Sequence, residues 1–133
     1  MPYITGSDVQ NLSVTSLNTN TLDFSNIGKT SSSISTSISL DAKVLVSLST
    51  DTYRSVNYQI QAEQGNNFNI TNINVIHDQS KVYLSEFGTI NEPIGIATYN
   101  ADINSGNLRL IGYASSTAST TYRVIYTATE AKR

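Results

Sequence analysis

His77 is the only histidine in the chain, and there is no cysteine. Those two facts remove most of the chemistry that 133 residues could carry. A serine triad needs a histidine beside its nucleophile, and the G-x-S-x-G elbow that exposes such a serine is missing too. Zinc-type centres need several imidazole or thiolate ligands. Ten carboxylates remain. Two of them could flank a glycosidic bond, but most fall at turns or at outward strand positions. Asp41, Asp51, Asp78 and Asp102 fall at strand ends, where calcium could sit, yet no D-x-D-x-D loop accompanies them. The glycines are isolated and form no phosphate loop. His77 opens the turn His77-Asp78-Gln79-Ser80. It is expected to hydrogen-bond its own loop, with Asp78 as the Asx-type partner. The expectation is a chain without catalytic residues, metal ligands or cofactor.

The eight tyrosines are the one excess. Tyr58, Tyr83, Tyr99, Tyr113, Tyr122 and Tyr126 fall on expected strands. They read as amphipathic rings of the core and its edge. The competing reading is an exposed aromatic platform for a sugar or a partner protein.

The elements that would position these groups are strands. From Arg54 to Gly88 apolar and polar residues alternate, and the breaks fall on turn formers. Val56, Tyr58, Ile60 and Ala62 share one face. Gln64-Gly65-Asn66-Asn67 turns the chain, Phe68 and Ile70 resume, and after His77-Asp78-Gln79-Ser80 come Val82 and Leu84. Between Ile70 and Ile73 the phase slips by one residue, which predicts a bulge at Thr71-Asn72. Upstream, Ile34, Thr36, Ile38 and Leu40 alternate with serines, and Val44, Val46 and Leu48 follow a turn at Asp41-Ala42. Downstream, Asn104-Ser105-Gly106-Asn107 is a tight hairpin signal. Tyr122, Val124 and Tyr126 mark the last strand. About eight strands and no helix predict an all-β chain, an antiparallel, jelly-roll-like β-sandwich with one wet face. Ile60, Val75, Leu84, Leu110 and Val124 are expected on the packed face.

Residues 1–29 read differently from 30–133, the expected sandwich domain. Leu12, Val14, Leu17, Leu22 and Phe24 are spaced among Ser, Thr and Asn without a single period. They are too few to make a core. They read as an extended N-terminal arm that makes assembly contacts with a partner by pairing with a sheet edge, against the plainer reading of an unstructured tail.

Charged residues make up 14% of the chain, against about 25% in ordinary domains. The formal charge is −2, with Lys and Arg scattered. Neither a nucleic-acid partner nor a polybasic membrane site is expected. The apolar runs are too short to cross a bilayer as a helix. No Sec-type signal opens the chain, so synthesis in a host cytoplasm is expected.

From Thr52 to the end the chain resembles a domain common in structural proteins of tailed phages, especially marine and cyanobacterial ones. The landmarks are Tyr53-Arg54-Ser55-Val56-Asn57-Tyr58, Val75-Ile76-His77-Asp78, Val82-Tyr83-Leu84-Ser85-Glu86-Phe87-Gly88-Thr89-Ile90, Ala101-Asp102-Ile103-Asn104-Ser105-Gly106-Asn107-Leu108-Arg109-Leu110 and Arg123-Val124-Ile125-Tyr126-Thr127. A glycine usually follows the His-Asp pair in related sequences, and here Gln79 stands there. The resemblance implies a virion protein and names no catalytic residue. The expected function is a non-enzymatic capsid decoration or cement protein, attached through its arm. The alternatives are a tail, neck or fibre-associated virion protein, or a carbohydrate-binding module for host recognition. Expected partners are other virion proteins, further copies of the chain and, on the last reading, a host glycan.

Overall fold

A computed structural model describes residues 15, 16 and 18–132. Among the described residues nine strands follow one another: β1 (Thr21–Phe24), β2 (Gly28–Ser37), β3 (Lys43–Ser49), β4 (Tyr53–Gln64), β5 (Asn67–His77), β6 (Val82–Glu92), β7 (Ala97–Asn104), β8 (Asn107–Ala114) and β9 (Thr120–Glu130). Every pairing is antiparallel. A six-stranded sheet, ordered β1-β2-β9-β4-β5-β6, lies against a three-stranded sheet, ordered β3-β8-β7. The two form a sandwich and do not close into a barrel. β1 is the ninth strand, beyond the eight or so expected; it lies within residues 1–29 and pairs with β2, from Thr21 opposite Ser31 to Phe24 opposite Gly28.

The alternation read from the sequence is what builds the core. Val56, Tyr58, Ile60 and Ala62 point inward from β4, and Ile73 and Val75 from β5. Tyr122, Val124 and Tyr126 do so from β9, and Leu108 and Leu110 meet them from β8. Tyr58 and Tyr126 pack with rings tilted at 47° and centroids 6.0 Å apart, and Tyr99 meets Tyr122 edge-on at 6.2 Å. The Ser105-Gly106 turn joins β7 to β8 with φ of 51° and 77°. Two positive φ values are what a tight two-residue hairpin requires.

Leu84 corrects one expectation. Its phase is right, because it sits opposite Val75 on the inward face. It is nonetheless 38% exposed. β6 is the edge of the wide sheet, and the three-stranded sheet is too narrow to cover it. In β2 the serines, not the isoleucine, turn towards the core. Ser31 and Ser35 face inward, opposite Tyr126 and Tyr122, while Ile34 points out at 64% exposure. The Ser33 hydroxyl donates to the Leu45 carbonyl at 2.9 Å, tying β2 to β3 across the sandwich.

The phase slip near Thr71 has a different cause from the one expected. β5 alternates without a break, with Thr71 fully buried and Ile70 turned outward. The irregularity lies in the β5–β6 pairing, where Ile70 faces Ile90 but Asn72 faces Phe87. β6 therefore carries the extra residue, and Gly88 there has φ +65°. That is the conformation glycine enters most readily in a bulge.

Candidate interaction surface

The outward face of the six-stranded sheet gathers its side chains in rows that cross β2, β9, β4, β5 and β6, two of them reaching β1. One row runs Phe24, Gly28, Thr129, Ser55, Ile76, Tyr83. The next runs Leu22, Thr30, Thr127, Asn57, Asn74, Ser85. A third runs Ser32, Ile125, Gln59, Asn72, Phe87. These three rows contain no charged residue. Beyond them Ile34, Arg123, Gln61, Ile70 and Ile90 align, followed by Thr36, Thr121, Glu63, Phe68 and Glu92. Arg123 and Glu63 approach each other at 3.7 Å, so the one basic side chain on the face is matched by an acidic neighbour.

Phe24, Ile34, Phe68, Ile76, Tyr83, Phe87, Ile90 and Ile125 are all about half exposed or more on this face. Single exposed apolar residues need no explanation, but eight on one sheet face, gathered on β1, β2 and β9 to one side and on β5 and β6 to the other, are an unusual amount of uncovered apolar surface. Between them lies a ladder of neutral amides and hydroxyls. Asn57 donates to Asn74, and Thr30 and Thr127 hydroxyls meet at 3.2 Å. A shallow groove of ≈ 430 Å³ runs along Asn57, Asn74, Ile76, Tyr83 and Ser85. The face thus offers large apolar contact with amides that can donate and accept, and almost no charge.

Of the expected assembly contacts, Leu22 and Phe24 lie on this face, in the two rows that reach β1. Leu12, Val14 and Leu17 lie outside the described residues. The tyrosines divide. Tyr58, Tyr122 and Tyr126 are core, Tyr99 packs against it, and Tyr83 stands on the outward face beside Asp78, which it reaches through its hydroxyl at 3.2 Å. Burial pushes the phenols of Tyr58 and Tyr99 well up, so they stay neutral.

A more polar cleft of ≈ 450 Å³ opens where the edges β6 and β7 meet. Thr71 donates to Glu86 Oε2 at 2.8 Å, Thr89 reaches the same oxygen at 3.3 Å, and Asn69 donates to Asn91. Glu86 is the one acid lining this cleft. The remaining polar groups are structural ties. Arg109 grips Asp102 at 2.8 and 2.6 Å on the three-stranded sheet, and the hydrogen bond from Arg109 lowers the carboxyl's pKa. No cluster of three or more metal-ligating side chains occurs among the described residues.

His77 opens its turn and bonds its own loop as expected, but it does so from inside the protein. It is 2% exposed. Its Nδ1 accepts from the Gln79 amide at 3.1 Å, as expected of a residue serving its own loop. That assigns the proton to Nε2, which donates to the Tyr53 carbonyl on β4 at 2.6 Å. Arg54 Nη1 donates to the His77 carbonyl at 2.9 Å and doubles the tie. Asp78 caps the turn, accepting from the Ser80 and Lys81 amides at 3.0 and 2.7 Å. Those backbone bonds, Lys81 first, bring its carboxyl down to about 2. Gln79 has φ +79°, a conformation suited to glycine, and its side chain donates to the Thr50 carbonyl at 3.0 Å.

No protein-family model matches the chain, and no curated protein matches it. Among solved structures it is similar to the tailspike protein of Acinetobacter phage vB_ApiP_P1, with TM-score 0.45 and 20% identity over 90% of this chain and 24% of that one. It is also similar to the tailspike protein of Acinetobacter baumannii phage AM24, with TM-score 0.42 and 8% identity over 74% of this chain and 26% of that one. The chain spans about a quarter of the length of each.

Proposed function

We propose that this chain is a non-enzymatic structural component of a tailed-phage virion, acting by protein–protein contact on the tail or fibre side. One observation carries the reading: the outward face of the six-stranded sheet. It is broad, half apolar and nearly uncharged, the composition of a surface that another protein covers. The ordered landmarks from Tyr53 to Thr127 support the virion setting, through their resemblance to phage structural proteins. The solved structures similar to the chain carry the tailspike name, so the tail is the first location to test. On this reading Leu22 and Phe24 extend the contact surface, and Leu12, Val14 and Leu17 continue the attachment contacts upstream.

The test is the abundance of the protein in purified virions, with immunogold labelling of intact particles. Copy number matching tail proteins and label at the tail are expected. Label over the whole shell would favour capsid decoration. Absence from virions would overturn the proposal.

A further inference from the structure

Resting on the reading of this face as a contact surface, we infer that its occupant is a second copy of the same chain, stacked face to face about a two-fold axis. Charge decides against a partner selected by electrostatics. The rows from Phe24–Tyr83 to Ser32–Phe87 hold no charged side chain, so a strongly acidic or basic protein would find no counter-charge there. An identical neutral face meets no like-charge repulsion. On the remaining rows Arg123 has Glu63 at 3.7 Å, and Glu92 ends the last row at the sheet edge, away from the neutral rows.

The polar groups also suit self-pairing. Asn57, Gln59, Asn72 and Asn74 form a block across β4 and β5 at the middle of the face. An amide both donates and accepts, so each can satisfy its counterpart when the faces are related by a two-fold axis. Ile125 and Phe87 flank that block on its two sides, in the same row as Gln59 and Asn72. Stacked sheets approach to about 10 Å, a distance at which these side chains interdigitate.

The extent is adequate. Strands spaced ~4.8 Å and rising ~3.3 Å per residue make the face from β1 to β6 and from Ser55 to Glu63 on the order of 700 Å². A stable interface buries about 800 Å² per partner.

The test uses the full chain in sedimentation velocity and light scattering. The wild type is expected at twice its 14.4 kDa mass. Ile125→Lys and Phe87→Lys should each weaken the dimer roughly 30-fold or more, with an unchanged circular dichroism spectrum. Thr98→Lys, on the outward face of the narrow sheet, should leave the dimer intact. Because the chain has no cysteine, Gln59→Cys reports the geometry directly: oxidation should link two copies, whereas Ser47→Cys should not. A monomeric wild type at its highest soluble concentration would overturn the pairing, as would a dimer that survives both lysine variants. Virion incorporation of the same variants separates the two proposals. If the wild type is monomeric but Phe87→Lys is lost from particles, self-pairing falls and the contact-surface reading stands. If the wild type dimerises but Phe87→Lys enters particles normally, the reverse holds.

Discussion

The ring of Tyr122 lies against the backbone of Gly112, so closely that a Cβ at Gly112 would stand 3.2 Å from Tyr122 Cε1 and 3.1 Å from Leu45 Cδ1. β8 and β9 belong to different sheets, and this contact sets how near the two sheets come. Tyr122 is fully buried and has no room to retreat. Gly112→Ala should therefore cost about 1–3 kcal/mol, the range for overpacking, read as a lowered urea midpoint at constant slope. An unchanged midpoint would mean the sheets can part without loss.

A paired comparison tests the covered and uncovered parts of the inward face. Ile60 is fully buried at the centre of the wide sheet, while Leu84 sits on its overhanging edge. Ile60→Ala should destabilise by about 2–5 kcal/mol. Leu84→Ala should cost less, because Leu84 is already 38% exposed and its loss opens no closed cavity on the uncovered edge. Equal losses in denaturant titrations would show that β6 is covered.

His77→Ala removes both ring contacts at once and leaves the Tyr53 carbonyl and the Gln79 amide without their partner. An unsatisfied buried group costs about 1–3 kcal/mol, and the lost side chain leaves a cavity besides. The expected loss is about 2–4 kcal/mol in thermal or chemical unfolding. Faster hydrogen exchange should be confined to the start of β4 and the end of β5.

Asp78 supplies a pH signature. Its folded pKa is near 2, below the ordinary 3.8. A depressed carboxyl contributes stability above its unfolded pKa, and the contribution is lost as pH falls through the folded value. The wild type should thus exceed Asp78→Ala in Tm above pH ~4 and lose that advantage towards pH ~2. Thermal scans across that window check the sign. A gap that widened with acid would refute it.

Much of the fold was legible because period two survives in a single sequence. Tyr58, Ile60, Tyr122 and Val124 alternate as strands must, and Ser105-Gly106 announces its hairpin. What periodicity cannot say is how wide the facing sheet is. Leu84 and Ile34 have regular alternation, yet one lies beyond the cover and the other points away from it. Nor could the outward face be found by scanning. Ile34, Ile76, Phe87 and Ile125 are far apart in the chain and become neighbours only through four strand registers. Thr71 misled for a related reason. A buried hydroxyl held by Glu86 imitates a solvent-facing residue in the pattern.

β9 lies between β2 and β4, with ten-residue ladders to each. In order of synthesis it follows the other eight strands. While the ribosome is still translating β8, β1 and β2 have no neighbour linking them to β4, and the inward faces of the wide sheet have no middle. Closing contacts this distant in sequence is slow. The nascent chain therefore waits with its aliphatic side chains uncovered, and chaperone demand should peak just before Thr120–Glu130 emerges from the exit tunnel.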